Sequence, residues 1–293
     1  MDGALEKTIS FLLFIFIGIL LKKKISTGDE TNGLKSLILT LALPATIFIA
    51  LLKVKIDSNL VLFPFLALGF NVILFSVTPF LLTVIGININ SEKGRSASIL
   101  IPSLAPGLSC FPFILEFLGD DSLAKAAMAD LGNKFFVLFL LYLVALKWHY
   151  KHADFEANSL KTKLKSLAKT LLYEPVNLFI IVALILVSFG FTIEKLPNYL
   201  SITLTRLSYI MTPLVLIFIG LAVKIKKRQF FELSSLLLLR AGFTLLFIGG
   251  IVFFADISIK KDILVMITFS LSACSFWPFA HISAVNFKEK KEN

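Results

Sequence analysis

The chain has 293 residues and a formal net charge of +10, yet only 16% of its residues are charged and 57% are hydrophobic, 30 of them phenylalanine. Mean hydropathy is +0.89. Soluble domains carry roughly a quarter charged residues, so a water-facing surface for this composition is excluded and a bilayer is the solvent that accepts it. Positive charge of this size raises nucleic acid as a partner. The lysines fall in short loops between apolar runs, and no basic stretch interleaves aromatics on a polar face, so nucleic acid is excluded. Cys110 and Cys274 lie within apolar segments and form neither a disulfide framework nor a metal-ligand set. There is no His-Glu-x-x-His, no phosphate-binding glycine loop and no nucleophile elbow, which argues against an enzyme and for no cofactor.

A spanning helix needs about 20 mainly apolar residues. Nine segments qualify in chain order: 8–21, 34–52, 59–86, 97–118, 123–147, 171–190, 198–223, 231–254 and 262–286. The first is short and needs neighbours or local thinning of the bilayer. It is followed directly by Lys22, Lys23 and Lys24 with no small-residue cleavage site, so it reads as a retained span and not a signal peptide. Between the fifth and sixth segments, Leu160, Leu164 and Leu167 alternate with Lys161, Lys163 and Lys165. That pattern predicts a short amphipathic helix on the inner leaflet, within a linker over 151–170.

Lys and Arg crowd one set of alternate loops, with Lys22 to Lys24, Lys93, Arg95, Lys161 to Lys169, Lys224 to Arg228 and the tail. The other set carries Lys7, Lys53, Lys55, Lys125, Lys195, Lys260 and Lys261. The bias places the N-terminus outside and the C-terminus in the cytoplasm of a cell-membrane protein.

Pro44-Ala-Thr-Ile-Phe-Ile-Ala-Leu-Leu-Lys-Val-Lys-Ile56 resembles Pro213-Leu-Val-Leu-Ile-Phe-Ile-Gly-Leu-Ala-Val-Lys-Ile225, an offset of 169 residues that also lays the third segment on the eighth. The expected fold is therefore an all-α integral membrane protein of nine transmembrane helices in an inverted repeat of five plus four. The first repeat is 1–150, the linker 151–170 and the second repeat 171–293.

The fourth segment holds Pro102, Pro106 and Pro112 with Gly107. Each proline removes a backbone donor and crowds the preceding turn, so an unbroken helix across 102–112 is not expected. The ninth segment has a milder interruption around Ser275 and Pro278. Paired interruptions in corresponding places point to a transporter's binding site, where broken helix ends offer free N–H groups to an anion. Two kinks tolerated by packing are the plainer reading. The substrate-binding candidates are Ser103, Ala105, Pro106, Gly107, Ser109, Pro112, Pro44, Ser275, Pro278 and His281.

Charges inside segments are the second group. Asp130 and Lys134 share a helix face with Asn133 beside them, either handling protons and substrate or neutralising each other to lock helices. Arg240 lies about 15 Å into the eighth segment, and its counterpart at the 169-residue offset is Asn71. Matched polar residues suggest a cavity wall; an Arg that snorkels, or pairs with Asp130, is the alternative. His281 could take a proton near neutral pH, though a lone histidine is more often structural.

Several stretches resemble one known family. Gly107, Pro112 and Gly119 fall on the fourth-span pattern of the auxin efflux carrier family, whose microbial members are often called malate or organic-anion permeases. Leu39-Thr-Leu-Ala-Leu-Pro44, Asp130-Leu-Gly-Asn133, Pro213 to Gly220 and Leu239-Arg240 are also similar to it. The resemblance covers nearly the whole chain and implies a permease fold. The family's crossover asparagine falls at Ala105 and its second glycine at Cys110, and its tenth span has no counterpart here. The resemblance implies a secondary transporter for a small organic anion, coupled to protons or running as a uniporter. Other partners are the lipid bilayer and a second copy of the chain as a homodimer. A membrane sensor that binds without transporting, and a sodium-coupled carrier of the bile-acid symporter type, are the alternatives.

Overall fold

In the computed structural model the described residues are 2–25, 27–54, 58–149, 157–223, 227–255, 259–275 and 278. Among them the chain is helical and contains no strand. Helix α1 is Asp2–Leu21. Helices α2 (Gly28–Leu37) and α3 (Leu43–Lys53) are joined by a π turn, Ile38–Ala42. Then come α4 (Ser58–Val84), α5 (Glu92–Leu100), the single turn α6 (Pro106–Ser109) and α7 (Phe111–Leu118). Helix α8 (Asp120–Phe135) continues through a second π turn, Phe136–Leu140, into α9 (Leu141–His149). Helices α10 (Ala157–Tyr173) and α11 (Pro175–Ser188) meet at Glu174. A 3-10 turn, Ile193–Lys195, leads to α12 (Asn198–Tyr209), α13 (Met211–Ala222), α14 (Lys227–Phe254) and α15 (Lys260–Ser270).

Among the described residues, six stretches are long and apolar enough to cross a membrane: Gly3–Leu21, Gly28–Lys53, Leu60–Val84, Asp120–Ala145, Asn198–Ala222 and Leu233–Phe254. A bent pair, 165–173 with 175–188, makes up to seven. Nine are expected from sequence, and the shortfall has local causes. The segment 97–118 is divided among α5, α6 and α7, each shorter than the 18 residues a span needs. The segment 262–286 is helical as α15 and leaves the helix at Leu271, and most of its remainder lies outside the described residues. The first segment is longer than its apolar run, because α1 starts at Asp2 and has 20 residues. The linker is helical from Ala157, while 151–156 lie outside the described residues.

The chain divides into two compact units, each drawing on segments from before and after 151–170. The first comprises Met1–Ser58, Gly107–Ala127 and Glu174–Lys227. Here α1 lies against α13 at Gly18 and Gly220. A Cβ on Gly18 would strike the Ile217 carbonyl, and one on Gly220 the Ile15 carbonyl, so only glycine lets the two backbones approach this closely. Lys22 Nζ donates to the Val223 carbonyl just beyond the end of α13. Helix α3 is buried from Leu43 to Leu52 and packs on α11, with Phe48 edge-on to Phe179 at 5.7 Å. Pro44 sits in the first turn of α3 and brings no N–H to the ladder. The π turn ahead of it closes with Leu43 N–H donating to the Ile38 carbonyl.

The second unit comprises Asn59–Pro106, Met128–Tyr173 and Arg228–Asn293. Its core joins Ile99 of α5 to Phe136, Val137 and Leu141, covered by Leu68 and Phe75 of α4 and Val144 of α9. Phe70 of α4 and Phe247 of α14 have ring centroids 5.9 Å apart.

Candidate functional site

In the second unit helical winding stops at Leu100 and again at Ser270, and the two stretches that follow are hydrogen-bonded to each other. Helix α5 ends at Leu100, ahead of Pro102, and helix resumes at Pro106; neither proline can donate to a ladder. Helix α15 ends at Ser270. Leu104 and Cys274 then face each other as an antiparallel bridge. Ala105 N–H donates to the Ala273 carbonyl at 2.8 Å, and Ser275 N–H to the Ser103 carbonyl at 3.1 Å. Backbone polar groups freed inside an apolar medium need protein partners, and each break supplies them to the other.

Asn133 of α8 holds the first break from the side. Its Oδ1 accepts from Leu104 N–H at 3.1 Å, and its Nδ2 donates to the Leu104 carbonyl at 3.0 Å. The same amide donates to Asp130 Oδ1 at 2.9 Å and accepts from Asn71 Nδ2 of α4 at 3.0 Å. Asp130 Oδ2 lies 3.3 Å from Lys134 Nζ. A Cβ on Gly132 would run into the Pro64 carbonyl, so this glycine lets α8 sit close enough to α4 for the two amides to meet.

Arg240, midway along α14, holds the second break. Its Nη2 donates to the carbonyls of Ser270 at 3.1 Å and Ser272 at 2.8 Å, and its Nη1 to Cys274 Sγ at 3.3 Å. A polar chain therefore runs from Lys134 through Asp130, Asn133, Leu104 and Cys274 to Arg240. Arg240 is 3% exposed, and among the described residues no carboxylate pairs with it. Its Nε–H, the Thr244 hydroxyl one turn along α14 and the Ser272 hydroxyl are buried without a hydrogen-bond partner among the described residues. All three can donate.

Of the residues singled out from sequence, Ser103, Ala105, Ser275, Asn71, Asp130, Asn133, Lys134 and Arg240 meet in this network. Pro106 ends the second unit's share of the fourth segment, and Pro278 is buried in the same unit. Pro44, Gly107, Ser109 and Pro112 belong to the first unit. His281 lies outside the described residues. One expectation changes, and so does one alternative, the pairing of Arg240 with Asp130. The Leu104 amide donates to Asn133, and those of Ala105 and Ser275 to the opposite break, so these three are not the bare donors expected of interrupted helices. Arg240 engages carbonyls and a thiol, whereas Asp130 engages Lys134 and Asn133. Sequence reasoning misses Leu104, Ser270, Ser272 and Cys274. Leu104 acts through its backbone and leaves no side-chain signal; the serine spacing over 270–275 is the available one.

These features define a multi-pass, all-helical membrane protein with a polar network inside one of its units. No protein-family profile matches the chain. It is similar to an uncharacterized transporter, MJ1031, of Methanocaldococcus jannaschii, with 26% identity over 208 residues. The match covers 69% of this chain and 63% of that relative, so the chain spans just under two thirds of its length.

Proposed function

We propose that the chain is a secondary transporter that moves a small organic anion, with the anion received at Arg240. The observation that carries this reading is the unbalanced guanidinium. A buried cation without an anionic partner is costly, and buried donors without acceptors add to the cost. An incoming carboxylate meets both deficits: it brings the missing charge and the acceptors for Arg240 Nε–H and the Ser272 and Thr244 hydroxyls. Asp130 and Lys134 arrive already paired, and we assign them to holding Asn133 and to proton coupling.

Three further considerations support the reading. The transporter relative covers most of the chain. The stretches at Pro44, Gly107, Asp130 and Arg240 resemble auxin efflux carriers. Asn71 and Arg240, matched at the 169-residue offset, each serve one break, which supports reading the chain as an inverted repeat.

The test is flux into proteoliposomes from a panel of small carboxylates. We expect saturable uptake, with Arg240→Gln raising KM about tenfold or more, as loss of a charge-assisted hydrogen bond implies. Absence of both saturable flux and binding across the panel overturns the proposal.

A further inference from the structure

The first unit holds a cavity of about 410 Å³ that involves none of the residues of the network between Lys134 and Arg240. Phe11 and Phe14 of α1, Ile49 of α3 and Leu115 of α7 form its apolar wall, with Phe11 and Ile49 buried. Ser10 of α1, Thr205, Ser208 and Tyr209 of α12 and Thr212 of α13 add hydroxyls. The size and the mixture, an apolar lining with a few convergent polar groups, are those of small-molecule sites.

Its charges come as two pairs. Lys7 Nζ lies 3.3 Å from Glu116 Oε1, and Lys53 Nζ 2.8 Å from Asp120 Oδ2. The pairs flank Gly119, whose φ of 89° turns α7 into α8 in a conformation that side chains resist. All four charged side chains are 33–44% exposed. Ion pairs this open contribute only about 0–1 kcal/mol, so exchanging partners costs little.

That exchange selects the ligand. A bare anion that takes Lys53 leaves Asp120 with water alone, and a bare cation that takes Asp120 leaves Lys53 with water alone. A molecule carrying both charges takes both and leaves no charge unpaired. We propose that this cavity binds a zwitterion, an ammonium and an anionic group on a small apolar body, with the ammonium against Glu116 or Asp120 and the anionic group against Lys7 or Lys53. The apolar body lies on Phe11, Phe14 and Ile49, where burial contributes about 25 cal/mol per Å². Beside the lining residue Ile193, the Thr192 side chain first, and then the residue's own backbone and Lys53, hold the Glu194 carboxyl below the usual glutamate range. Two sources carry this chemistry: a free apolar amino acid and a phosphatidylethanolamine headgroup. The site is independent of the anion reading of Arg240.

The experiment uses the full chain in phosphatidylcholine nanodiscs. Equilibrium binding is measured for leucine, 4-methylpentanoate (no ammonium) and 3-methylbutylamine (no carboxylate). Native mass spectrometry on protein supplied with phosphatidylethanolamine and phosphatidylglycerol forms the lipid arm. Leucine binding at least about tenfold tighter than either analogue supports a free solute; selective retention of phosphatidylethanolamine supports the headgroup. Lys53→Gln is expected to weaken whichever ligand binds, and the reversed pair Lys53→Asp with Asp120→Lys to restore it. Ser208→Leu fills the cavity without touching charge and is expected to abolish binding, which keeps the test intact if Lys53→Gln does not fold. Neither zwitterion binding, the single-charge analogues binding as well as leucine, or binding unchanged in Ser208→Leu each overturns the proposal.

Discussion

Asn71 and Arg240 stand at matched positions of α4 and α14, and each secures a different break in helical winding. Asn71 works through Asn133 on Leu104, whereas Arg240 grips the carbonyls of Ser270 and Ser272 itself. The short amide needs an intermediary; the long guanidinium spans the gap and donates in two directions.

Asn133 is the most connected of these side chains, with four partnered contacts. Asn133→Ala leaves Leu104 N–H and its carbonyl without that partner in a buried setting. At about 1–3 kcal/mol for each stranded group, and with less than full additivity, a loss of about 3 kcal/mol or more is expected. Thermal melting of the purified protein reads it. A melting temperature equal to that of the wild type shows that Asn133 does not clamp the break.

Arg240→Lys separates charge from geometry. Lysine keeps the cation but lacks the planar fork that reaches two carbonyls and a sulfur at once. The melting temperature is expected to fall while anion affinity is kept better than in Arg240→Gln. Equal loss of affinity in both variants would show that the fork, and not the charge, receives the ligand.

Asp130 and Lys134 have side chains 6% and 17% exposed. Removing one partner of so enclosed a pair takes the opposite charge from the other, at up to about 3–5 kcal/mol for fully buried cases. Asp130→Asn and Lys134→Met are each expected to destabilise, and the double variant by less than their sum. Strict additivity in the double-mutant cycle means the two charges do not depend on each other.

The contact between α1 and α13 depends on having no side chain at Gly18 and Gly220. Gly220→Leu forces backbones apart and is expected to cost about 1–3 kcal/mol or more, as overpacking does. A Cβ at Gly69 of α4 would meet nothing within 4 Å, so Gly69→Ala is the control. It is expected to be neutral or to gain up to about 1 kcal/mol from helix propensity. Melting in detergent compares the two, and a Gly220→Leu protein as stable as the control refutes the close crossing.

Much of this architecture is legible in the sequence because apolar runs and prolines act locally. Pro102 and Pro106 announce the first break from their own chemistry, and the stretches around Pro44, Asn71 and Arg240 stand out by their spacing. Span length is less legible. Polar starts, such as Asp2 to Lys7 in α1 and Gly28 to Leu34 in α2, are helical without being apolar. In α2 the reason is a capping box, Thr27 with Glu30, which nucleates the helix ahead of its hydrophobic part. The fate of the freed amides is not legible, since Ala105 and Ala273 find each other across more than half the chain and through backbone atoms alone. The cavity of the first unit gives no sign either, because its charged residues lie on separate helices with no common period.

The pairing of Leu104 with Cys274 also sets an order of events during biosynthesis. At roughly 5–20 residues per second, the ribosome delivers residues 270–275 on the order of ten seconds or more after residue 104. Over that interval the earlier segment is already made and its peptide groups have no strand-like mate. The nascent chain must therefore hold those groups in water, in the translocon or against Asn133 until the later segment arrives.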